Sequence, residues 1–493
     1  MIEELRKIVK HSGIYGIGLV SSKAVGFIMI PVYTRFLAPG DYGTLELLDL
    51  LTFFATNFAT LGIEAAVFRF YAAYDSEQEK KEVIATALLY ATGGSFLCAL
   101  VLFIWADPIA RQVLGSSALS PLVRIVSATF FFSNLCEVPL AHWRAQERSV
   151  LYVSVNLART LLGAASIAVA LAALKWGVRG ILYANLLTNA IAGLGLAGSA
   201  LLYLPRKLDA RKLAEMLRYS VPLFISGLGS FVLVFSDRFF LRRYGDLTQV
   251  GIYALGYKLA MIVNLVVGGP FRLTWQWQQF ELAKKENAKV MYAKIQIYQL
   301  LVSVSVGLAI ALLAKDALRI LSPTSYWGAS QIVPIIAFCY VLDNVRSMIL
   351  SGVLVQRMTH SLIPIAVAAA LINVTLNFLL IPHFLAMGAA VATLLSYLAY
   401  LAMTHSVAQR AFFIRYEYGR NLAVVASAGL VYLAGTLIHL ELLPSILVNL
   451  LLFSIFAVTS FNLLDQEERS LVRQTGVNLV RRLRGGFEGI EKA

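Results

Sequence analysis

The sequence predicts an all-α polytopic membrane protein with about fourteen transmembrane helices, and three observations carry this prediction. Of the 493 residues, 59% are hydrophobic and only 14% are charged, whereas an ordinary soluble chain has roughly a quarter of its residues charged. Apolar runs long enough to cross a bilayer, about 20 residues each, recur along the whole chain. Basic residues collect in alternate loops between these runs. The composition therefore argues against a soluble multidomain enzyme.

The predicted membrane spans follow one another with short polar breaks. The N-terminal segment 1–11 is short, basic and amphipathic, and the apolar run behind it is longer than the h-region of a signal peptide. We therefore expect that run to remain as the first membrane helix. The spans lie approximately at 12–37, 44–68, 83–105, 121–142, 150–173, 178–203, 219–241, 251–274, 295–314, 331–351, 361–381, 387–409, 421–440 and 443–463.

The distribution of basic residues predicts the orientation of the chain. There are 42 Lys and Arg residues against 28 Asp and Glu. With the N-terminus inside, 27 of the 42 fall in cytoplasmic segments, 7 fall in loops on the other side and 8 fall within the spans. This bias places both termini in the cytoplasm. Because the charges are spread over every loop on one side, they predict the lipid bilayer as a partner and no nucleic acid.

An internal repeat organises the spans. Residues 12–43 align without a gap on residues 220–251, an offset of 208 that pairs Arg35 with Arg243. Matched positions are six spans apart, so both halves enter the membrane in the same direction. The repeat predicts two parallel six-helix bundles, and transporters of this design hold their substrate between the halves.

The repeat and the polar breaks together divide the chain into five parts. The tail carries a narrow apolar stripe beside arginines, which predicts either a helix on the anionic leaflet or a solvated tail. That stripe consists of Val472, Gly476, Val480 and Leu483, next to Arg473, Arg481, Arg482 and Arg484. The parts are an N-terminal bundle (1–203), a cytoplasmic linker (204–218), a C-terminal bundle (219–409), two additional helices (410–463) and a basic cytoplasmic tail (464–493).

Charged residues inside the spans are the candidate functional residues, because each costs at least ~2.5 to 3.5 kcal/mol near the bilayer centre unless it meets a cavity or a partner. Basic residues outnumber acids there, so a water-filled cationic vestibule suits an anionic substrate such as a diphosphate. The basic residues are Lys23, Arg35, Arg124, Arg159, Arg238, Lys258, Arg272 and Arg346, and the acids are Glu46, Asp49, Glu64, Glu137, Asp237 and Asp343.

Several of these charges also have a structural interpretation. Asp237 and Lys258 could neutralise each other near the outer side, and Glu137 and Arg159 could pair near the cytoplasmic side. Lys23 is different, because it lies deep in its span, where snorkelling is hardest. Arg124, Arg272 and Arg346 could snorkel or cap helix ends.

The acids in the spans admit two roles. Acids on a mobile helix near cations can couple an ion gradient to transport, or they can simply balance charge. The candidates are Glu46, Asp49, Glu64, Asp237 and Asp343. The three cysteines, Cys98, Cys136 and Cys339, lie in apolar runs without metal-ligand spacing, so we expect no metal site and no cofactor.

Three stretches of sequence resemble the polysaccharide transporter (Wzx-type O-antigen flippase) family of the MOP superfamily. YTRFLAPGDYG at 33–43 resembles its "tR-LgPeeYG" signature, and SDRFFL at 236–241, followed by VGIY at 250–253 and YK at 257–258, resembles its "DR-fL … vGiYs … yK" signature. Residues 270–294 are similar to its next cytoplasmic segment, although Gln278-Gln279 replaces the usual Trp-x-Pro-Phe ending. The resemblance covers approximately the first 410 residues.

The resemblance implies a non-enzymatic flippase of the bacterial plasma (inner) membrane, which translocates a polyprenyl-diphosphate-linked oligosaccharide for cell-surface polysaccharide such as O-antigen. It also suggests a polysaccharide polymerase and chain-length proteins as partners. The candidates for a cationic substrate cavity are Lys23, Arg35, Arg159, Arg238, Lys258, Arg272 and Arg346. Tyr257, Trp275 and Trp277 are candidates for sugar stacking, or else residues of an interfacial aromatic belt.

Three alternatives stay open at the level of sequence. A lipid II flippase shares the predicted architecture, and Lys23 is similar to the basic residue of its first helix, although Met29-Ile30 stands where an Arg-Asp pair is expected. A cation-coupled multidrug exporter is disfavoured by the many intramembrane cations. A membrane glycosyltransferase or polymerase is disfavoured because no predicted outer loop exceeds about 17 residues.

Overall fold

The computed structural model describes residues 20–203, 209–356, 358–438, 440–466 and 468–470, with positions 14, 16 and 18 ahead of them. All regular structure in these ranges is helical. Within them, nine helices are long and apolar enough to cross a bilayer, and one bent helix pair would make ten. The prediction of an all-α polytopic membrane protein is confirmed. The count of fourteen spans, the repeat and the domain boundaries stay predictions.

The helices of the N-terminal half match the predicted spans closely. Residues 20–28 are helical and lead into the first labelled helix. The predicted tail stripe and segment 1–11 lie outside the described residues. The helices are α1 (Ile30–Phe36), α2 (Pro39–Thr60), α3 (Ile63–Ala73), α4 (Glu77–Ile104), α5 (Ser120–Ala145), α6 (Ser149–Ala172) and α7 (Gly177–Tyr203).

The second predicted span, 44–68, is a broken helix and not a straight one. Leu61 (φ 46°) and Gly62 (φ 70°) both adopt the left-handed conformation, which ends α2 because a left-handed residue cannot continue a right-handed helix. The axes of α2 and α3 differ by 41°. The break places Glu64 in the first turn of α3, where an acid interacts favourably with the helix dipole.

The helix that contains the predicted span 219–241 begins before that span does. It starts at Ala210, inside the predicted linker, because the carboxylate of Asp209 accepts hydrogen bonds from the backbone N–H groups of Arg211 (3.0 Å) and Lys212 (3.1 Å). The helices of the C-terminal half are α8 (Ala210–Tyr244), α9 (Leu247–Ala260), α10 (Gly269–Leu282), α11 (Ala288–Leu321), α12 (Ala329–Ile349), α13 (Leu362–Ala411), α14 (Tyr418–Thr436) and α15 (Leu442–Asn462).

One predicted span of this half contains a π-helical turn, and two others join at a kink without a loop between them. The span 251–274 is divided between α9 and α10, with a π-helical turn at Asn264–Gly268 between them. The spans 361–381 and 387–409 are the two parts of α13, which meet at a kink at Leu385 (φ 47°, ψ −127°), inside the predicted break 382–386. Short polar breaks in the sequence therefore do not always correspond to loops.

A buried hydrogen-bond network fixes α8 against α13. The hydroxyl of Ser236 donates to Asn373 Oδ1 (2.9 Å), and Nδ2 of Asn377 donates to Ser236 Oγ (3.1 Å). Asn373 also donates to the hydroxyl of Ser396 (3.2 Å). Polar bonds of this kind join helices inside a membrane, where no water competes for the polar groups.

Two glycines bring α2 and α9 into backbone contact. A Cβ on Gly43 would lie 2.9 Å from the Gly251 nitrogen and closer still to the carbonyl oxygen of Leu247. Reciprocally, a Cβ on Gly251 would lie 2.9 Å from the Gly43 nitrogen and overlap the Pro39 carbonyl. Both pairs, 43 with 251 and 39 with 247, have the repeat offset of 208. A two-fold relation between the halves would produce such a reciprocal contact.

Further contacts between the halves lie at the same end of the bundle. The hydroxyl of Thr34 donates to the carbonyl of Leu321 (2.7 Å), and the hydroxyl of Tyr326 donates to the carbonyl of Leu37 (3.0 Å). The charge bias of the sequence predicts that this end lies on the outer side of the membrane. We call Thr34, Leu37, Gly43, Gly251, Leu321 and Tyr326 the outer seal.

At the opposite end, an ion-pair cluster attaches the segment after α15 to α14. Arg420 donates to Glu468 Oε2 at 2.7 Å, and Glu468 also accepts hydrogen bonds from the backbone N–H of Asp465 (2.8 Å) and the hydroxyl of Tyr298 (3.0 Å). Burial alone would raise the pKa of the Glu468 carboxyl, but these hydrogen bonds outweigh it and hold the pKa below its usual value.

Candidate functional site

A polar cavity of about 450 Å³ lies in the N-terminal half, against one side chain of the C-terminal half. Its walls come from residues 22–33 and from helices α5, α6 and α7, while α9 contributes Lys258. Both halves of the chain are therefore needed to complete it. Its ionised and amide-bearing lining side chains are Glu137, Arg159, Lys258, Asn156, Asn185 and Asn189, and its hydroxyl groups belong to Ser22, Tyr33, Thr160 and Thr188.

Lys258 reaches this polar cavity across the interface between the halves. Its Nζ donates to the hydroxyl of Tyr42 at 3.2 Å and lies 5.8 Å and 5.6 Å from the ring centroids of Tyr33 and Tyr42. The carboxylates of Glu46 and Asp49 are close enough to interact electrostatically with it. Among the described residues Lys258 has no ion-pair partner within 4.0 Å, so its ammonium group is held by aromatic rings and one hydroxyl.

Arg159 supplies the second cation of the polar cavity. Its Nη2 donates to the hydroxyl of Ser133 at 3.2 Å. Glu137 lines the same cavity and interacts electrostatically with Arg159 and with Glu64, but Glu137 and Arg159 do not approach to ion-pair distance. Arg159 therefore keeps guanidinium donors available for a ligand, and guanidinium geometry matches phosphate oxygens.

Asp237 pairs with its neighbour Arg238, not with Lys258. Arg238 Nη1 lies 2.9 Å from Asp237 Oδ1, and its Nε lies 3.3 Å from Glu46 Oε1. The hydroxyl of Tyr253 donates to the second Asp237 oxygen at 2.5 Å. Only 2% of the Arg238 side chain is exposed. Arg238 is therefore a buried structural cation in this arrangement, and Glu46 balances its charge.

The other predicted cations lie away from the polar cavity. Arg346 forms an ion pair with Asp343 (2.7 Å), and Arg272 donates to Asn264 Oδ1 (2.6 Å). Lys23 and Arg35 are exposed and lie outside the cavity lining. Of the seven predicted cavity cations, the polar cavity brings together two, Arg159 and Lys258.

The predicted sugar-stacking residues occupy two different environments. Tyr257 and Trp275 are each only 5% exposed, and Trp275 Nε1 donates to the hydroxyl of Ser351 at 2.7 Å. Both rings pack inside the C-terminal half and are not accessible to a sugar in this arrangement. Trp277 is 56% exposed on α10, as an interfacial aromatic residue would be.

The uncharged polar residues of the cavity were not among the residues predicted from the sequence. Asn185, Thr188 and Asn189 stand at positions i, i+3 and i+4 of α7, and Asn156 and Thr160 stand at i and i+4 of α6. Such spacings place the side chains on one helix face. A search for polar faces within apolar spans could have found them.

Comparisons with known proteins agree with this architecture. The profile of a family described as "Polysaccharide biosynthesis protein" matches residues 8–275. A protein of the Lsg locus of Haemophilus influenzae is 24% identical over 271 residues, which cover 53% of this chain and 63% of that protein. The succinoglycan biosynthesis transport protein ExoT of Rhizobium meliloti is 24% identical over 249 residues, covering 49% and 47%. The chain thus spans less than two thirds of these relatives.

Solved structures share the fold. The lipid II flippase MurJ, in an inward closed conformation, aligns with a TM-score of 0.71 over 92% of this chain and 99% of its own, at 12% identity. An inward-facing multidrug resistance MATE family transporter of the MOP superfamily aligns with a TM-score of 0.62 over 79% and 94%, at 14% identity. At these identities the likeness establishes the fold alone.

Proposed function

The chain belongs to the polysaccharide biosynthesis protein family, and from this premise we propose that it is a flippase for a polyprenyl-diphosphate-linked oligosaccharide, which it moves from the cytoplasmic to the outer leaflet of a bacterial plasma membrane. The observation that carries the proposal is the polar cavity, in which Arg159 of one half and Lys258 of the other face the same space. Two cations beside several amides suit a diphosphate joined to a sugar.

The geometry also supports a way to release the substrate. Lys258 belongs to the C-terminal half, but it rests on Tyr42 of the N-terminal half. If the halves rock, as transporters with repeated bundles do, Lys258 moves away from Arg159 and the diphosphate loses one of its two cations. The same motion opens the outer seal, so weakened binding and access to the outer leaflet coincide. The lipid tail remains in the bilayer while the headgroup passes.

Glu46 and Asp49 fit a role in resetting this cycle. Both lie near Lys258, and a carboxylate competes with a diphosphate for an ammonium group. Protonation or cation binding at these acids would remove negative charge that opposes a diphosphate beside Lys258, and this would couple transport to an ion gradient. Collapse of the proton gradient, or removal of sodium, in transport-competent vesicles tests this step.

A cellular experiment tests the proposal. Loss of the protein should cause the lipid-linked oligosaccharide to accumulate on the cytoplasmic leaflet, and the Lys258→Gln and Arg159→Gln variants should reproduce that accumulation while they insert normally. Lys23→Gln and Arg35→Gln, which alter cations outside the cavity lining, serve as comparisons. Normal outer-leaflet delivery by the Lys258 and Arg159 variants would contradict the proposed site.

A lipid II flippase is the second candidate, since its substrate carries the same diphosphate chemistry and the fold is shared with MurJ. Mass spectrometry of the lipid that accumulates separates the two candidate functions, because lipid II carries a peptide and a lipid-linked oligosaccharide of O-antigen does not. A multidrug exporter is less compatible, because Arg159 and Lys258 would repel cationic drugs from the polar cavity. Partnership with a polymerase and chain-length proteins is part of the same proposal.

A further inference from the structure

Three arginines converge on a second pocket, at the end of the bundle that holds the outer seal. The pocket has a volume of about 730 Å³. Arg111 comes from the turn after α4 in the N-terminal half, whereas Arg242 and Arg243 come from the last turn of α8 in the C-terminal half. We call this the arginine pocket. It is separate from the polar cavity, and the two share no lining residue.

The positive charge of the arginine pocket is not compensated. No carboxylate lines it, and none of its three arginines takes part in an ion pair among the described residues. Two other arginines at this end form ion pairs, Arg124 with Asp107 (3.0 Å) and Arg319 with Asp316 (3.5 Å). Cations near the end of α8 interact favourably with the helix dipole, by about 0.3 to 1 kcal/mol each. The helix dipole therefore accounts for Arg242 and Arg243 on α8, but it does not account for Arg111, which comes from the other half of the chain.

The backbone around the pocket is shaped to hold one of the arginines. Gly115 has a φ of 79°, and a Cβ at this position would overlap the guanidinium group of Arg242. Arg242 Nε donates to the carbonyl of Leu114 at 2.8 Å. This contact ties α8 to the N-terminal half, while Arg111 and Arg243 are exposed and free to meet a ligand. The pocket therefore exists only while the two halves keep this arrangement.

We propose that the arginine pocket binds the diphosphate of a polyprenyl lipid in the outer leaflet and, when occupied, holds the outer end of the protein closed. Three guanidinium groups match the charge and the oxygen geometry of a diphosphate. Phe239, Phe240 and Tyr244 line the same pocket, and such an apolar wall suits a phosphate carried by a lipid better than a freely dissolved one. A ligand that binds only one arrangement shifts the population toward it.

The consequence is feedback by the delivered lipid. Feedback rests on the proposed function, because it requires transport toward the outer leaflet. Binding of the diphosphate lipid to the arginine pocket does not depend on that function. Accumulated diphosphate lipid in the outer leaflet would occupy the arginine pocket, keep the outer seal closed and slow further delivery until the lipid is consumed. The reaction class that must relieve this effect is glycan transfer, which leaves a polyprenyl diphosphate, followed by hydrolysis of that diphosphate to a polyprenyl monophosphate and inorganic phosphate. The monophosphate lacks the second phosphate group that the pocket recognises.

Binding to the purified full-length protein tests the site. The protein carries Lys258→Gln and Arg159→Gln, so that the polar cavity does not contribute to binding. It is placed in nanodiscs of zwitterionic lipid, and the probe is a polyprenyl diphosphate. We expect Arg111→Gln together with Arg243→Gln to raise the dissociation constant at least tenfold. Arg179→Gln, an exposed arginine of the same side outside the pocket, is the matched control and should change it less than twofold.

Three outcomes would overturn the proposal. They are unchanged binding by the Arg111 and Arg243 variant, an equal loss with Arg179→Gln, and equal affinity for phosphatidylglycerol or inorganic diphosphate. A Thr34→Cys reporter in the outer seal should also react more slowly with a membrane-impermeant maleimide when the probe is present, and only with the pocket arginines intact. If Lys258→Gln and Arg159→Gln leave transport normal, the proposed function fails, yet the binding result still stands or falls separately.

Discussion

Replacement of Gly43 by alanine is the sharpest test of how the two halves meet. Gly43 lies where α2 and α9 touch, and its added Cβ would stand 2.9 Å from the Gly251 nitrogen and 3.0 Å from the carbonyl carbon of Leu247. These neighbours are backbone atoms, which cannot rotate away as a side chain can. We therefore expect Gly43→Ala to push α2 and α9 apart and to open the outer seal.

The size of the effect follows from the geometry. To reach ordinary contact at 3.4 Å from that nitrogen, the helices must separate by at least about 0.5 Å, and by more at the Leu247 oxygen. Overpacking of this kind costs about 1 to 3 kcal/mol. If the cost applies only while the seal is closed, the closed population falls by about 5- to 150-fold relative to arrangements in which the helices are apart.

Maleimide labelling of Thr34→Cys from the outside measures this shift, in a background that lacks Cys98, Cys136 and Cys339. Thr34 is only 1% exposed, so its replacement should react slowly in the parent and at least fivefold faster with Gly43→Ala. Gly40→Ala is the control, because its Cβ would lie 3.6 Å from the nearest atom. Equal labelling in the two glycine variants, with both inserted normally, would refute the reasoning.

Other predictions concern stability and attachment. Trp275→Ala should lower the free energy of unfolding by about 3 to 5 kcal/mol because it empties a buried site. Trp277→Ala, at an exposed position, should change that free energy by less than about 0.5 kcal/mol. Denaturant titration in micelles compares the two variants. Asn373→Leu should cost about 0.6 to 1.7 kcal/mol by breaking the α8–α13 network, measured in the same way. Arg420→Gln should speed hydrogen exchange in residues 465–470 about tenfold, since a charged hydrogen bond contributes about 1.5 to 3 kcal/mol. In the parent the same segment should detach as the pH falls through the lowered pKa of Glu468 and stay attached at higher pH.

The fold was largely predictable because apolar runs of membrane-spanning length have one favourable structure in a bilayer, the α-helix. Within the described residues, the apolar runs long enough to cross a bilayer are helical, since helices satisfy every backbone polar group without water. The breaks were not predictable in the same way. Nothing in the apolar run 44–68 predicted the left-handed Leu61 (φ 46°), whereas the kink at Leu385 falls between the predicted spans 361–381 and 387–409.

The candidate site was predictable only in part, because charge in a span does not show which way it faces. Arg238 and Lys258 are both intramembrane cations in the same family signature, yet Arg238 is buried between two carboxylates and Lys258 lines the polar cavity. Their difference comes from Asp237, the chain neighbour that Arg238 can reach. The asparagines of α6 and α7 were not predicted, because an amide in a membrane span costs less free energy than a charge and so does not by itself indicate a cavity.

The rate of headgroup translocation in proteoliposomes tests the central claim most directly. The substrate is a polyprenyl-diphosphate-linked oligosaccharide, and the readout is the fraction of sugar accessible to an impermeant glycosidase over time. Each cation of the polar cavity should be worth about 1.5 to 3 kcal/mol to the bound diphosphate, so Lys258→Gln and Arg159→Gln should each slow translocation by about 10- to 100-fold, while Arg179→Gln should not. Translocation at the parent rate in the Lys258 and Arg159 double variant would contradict the account.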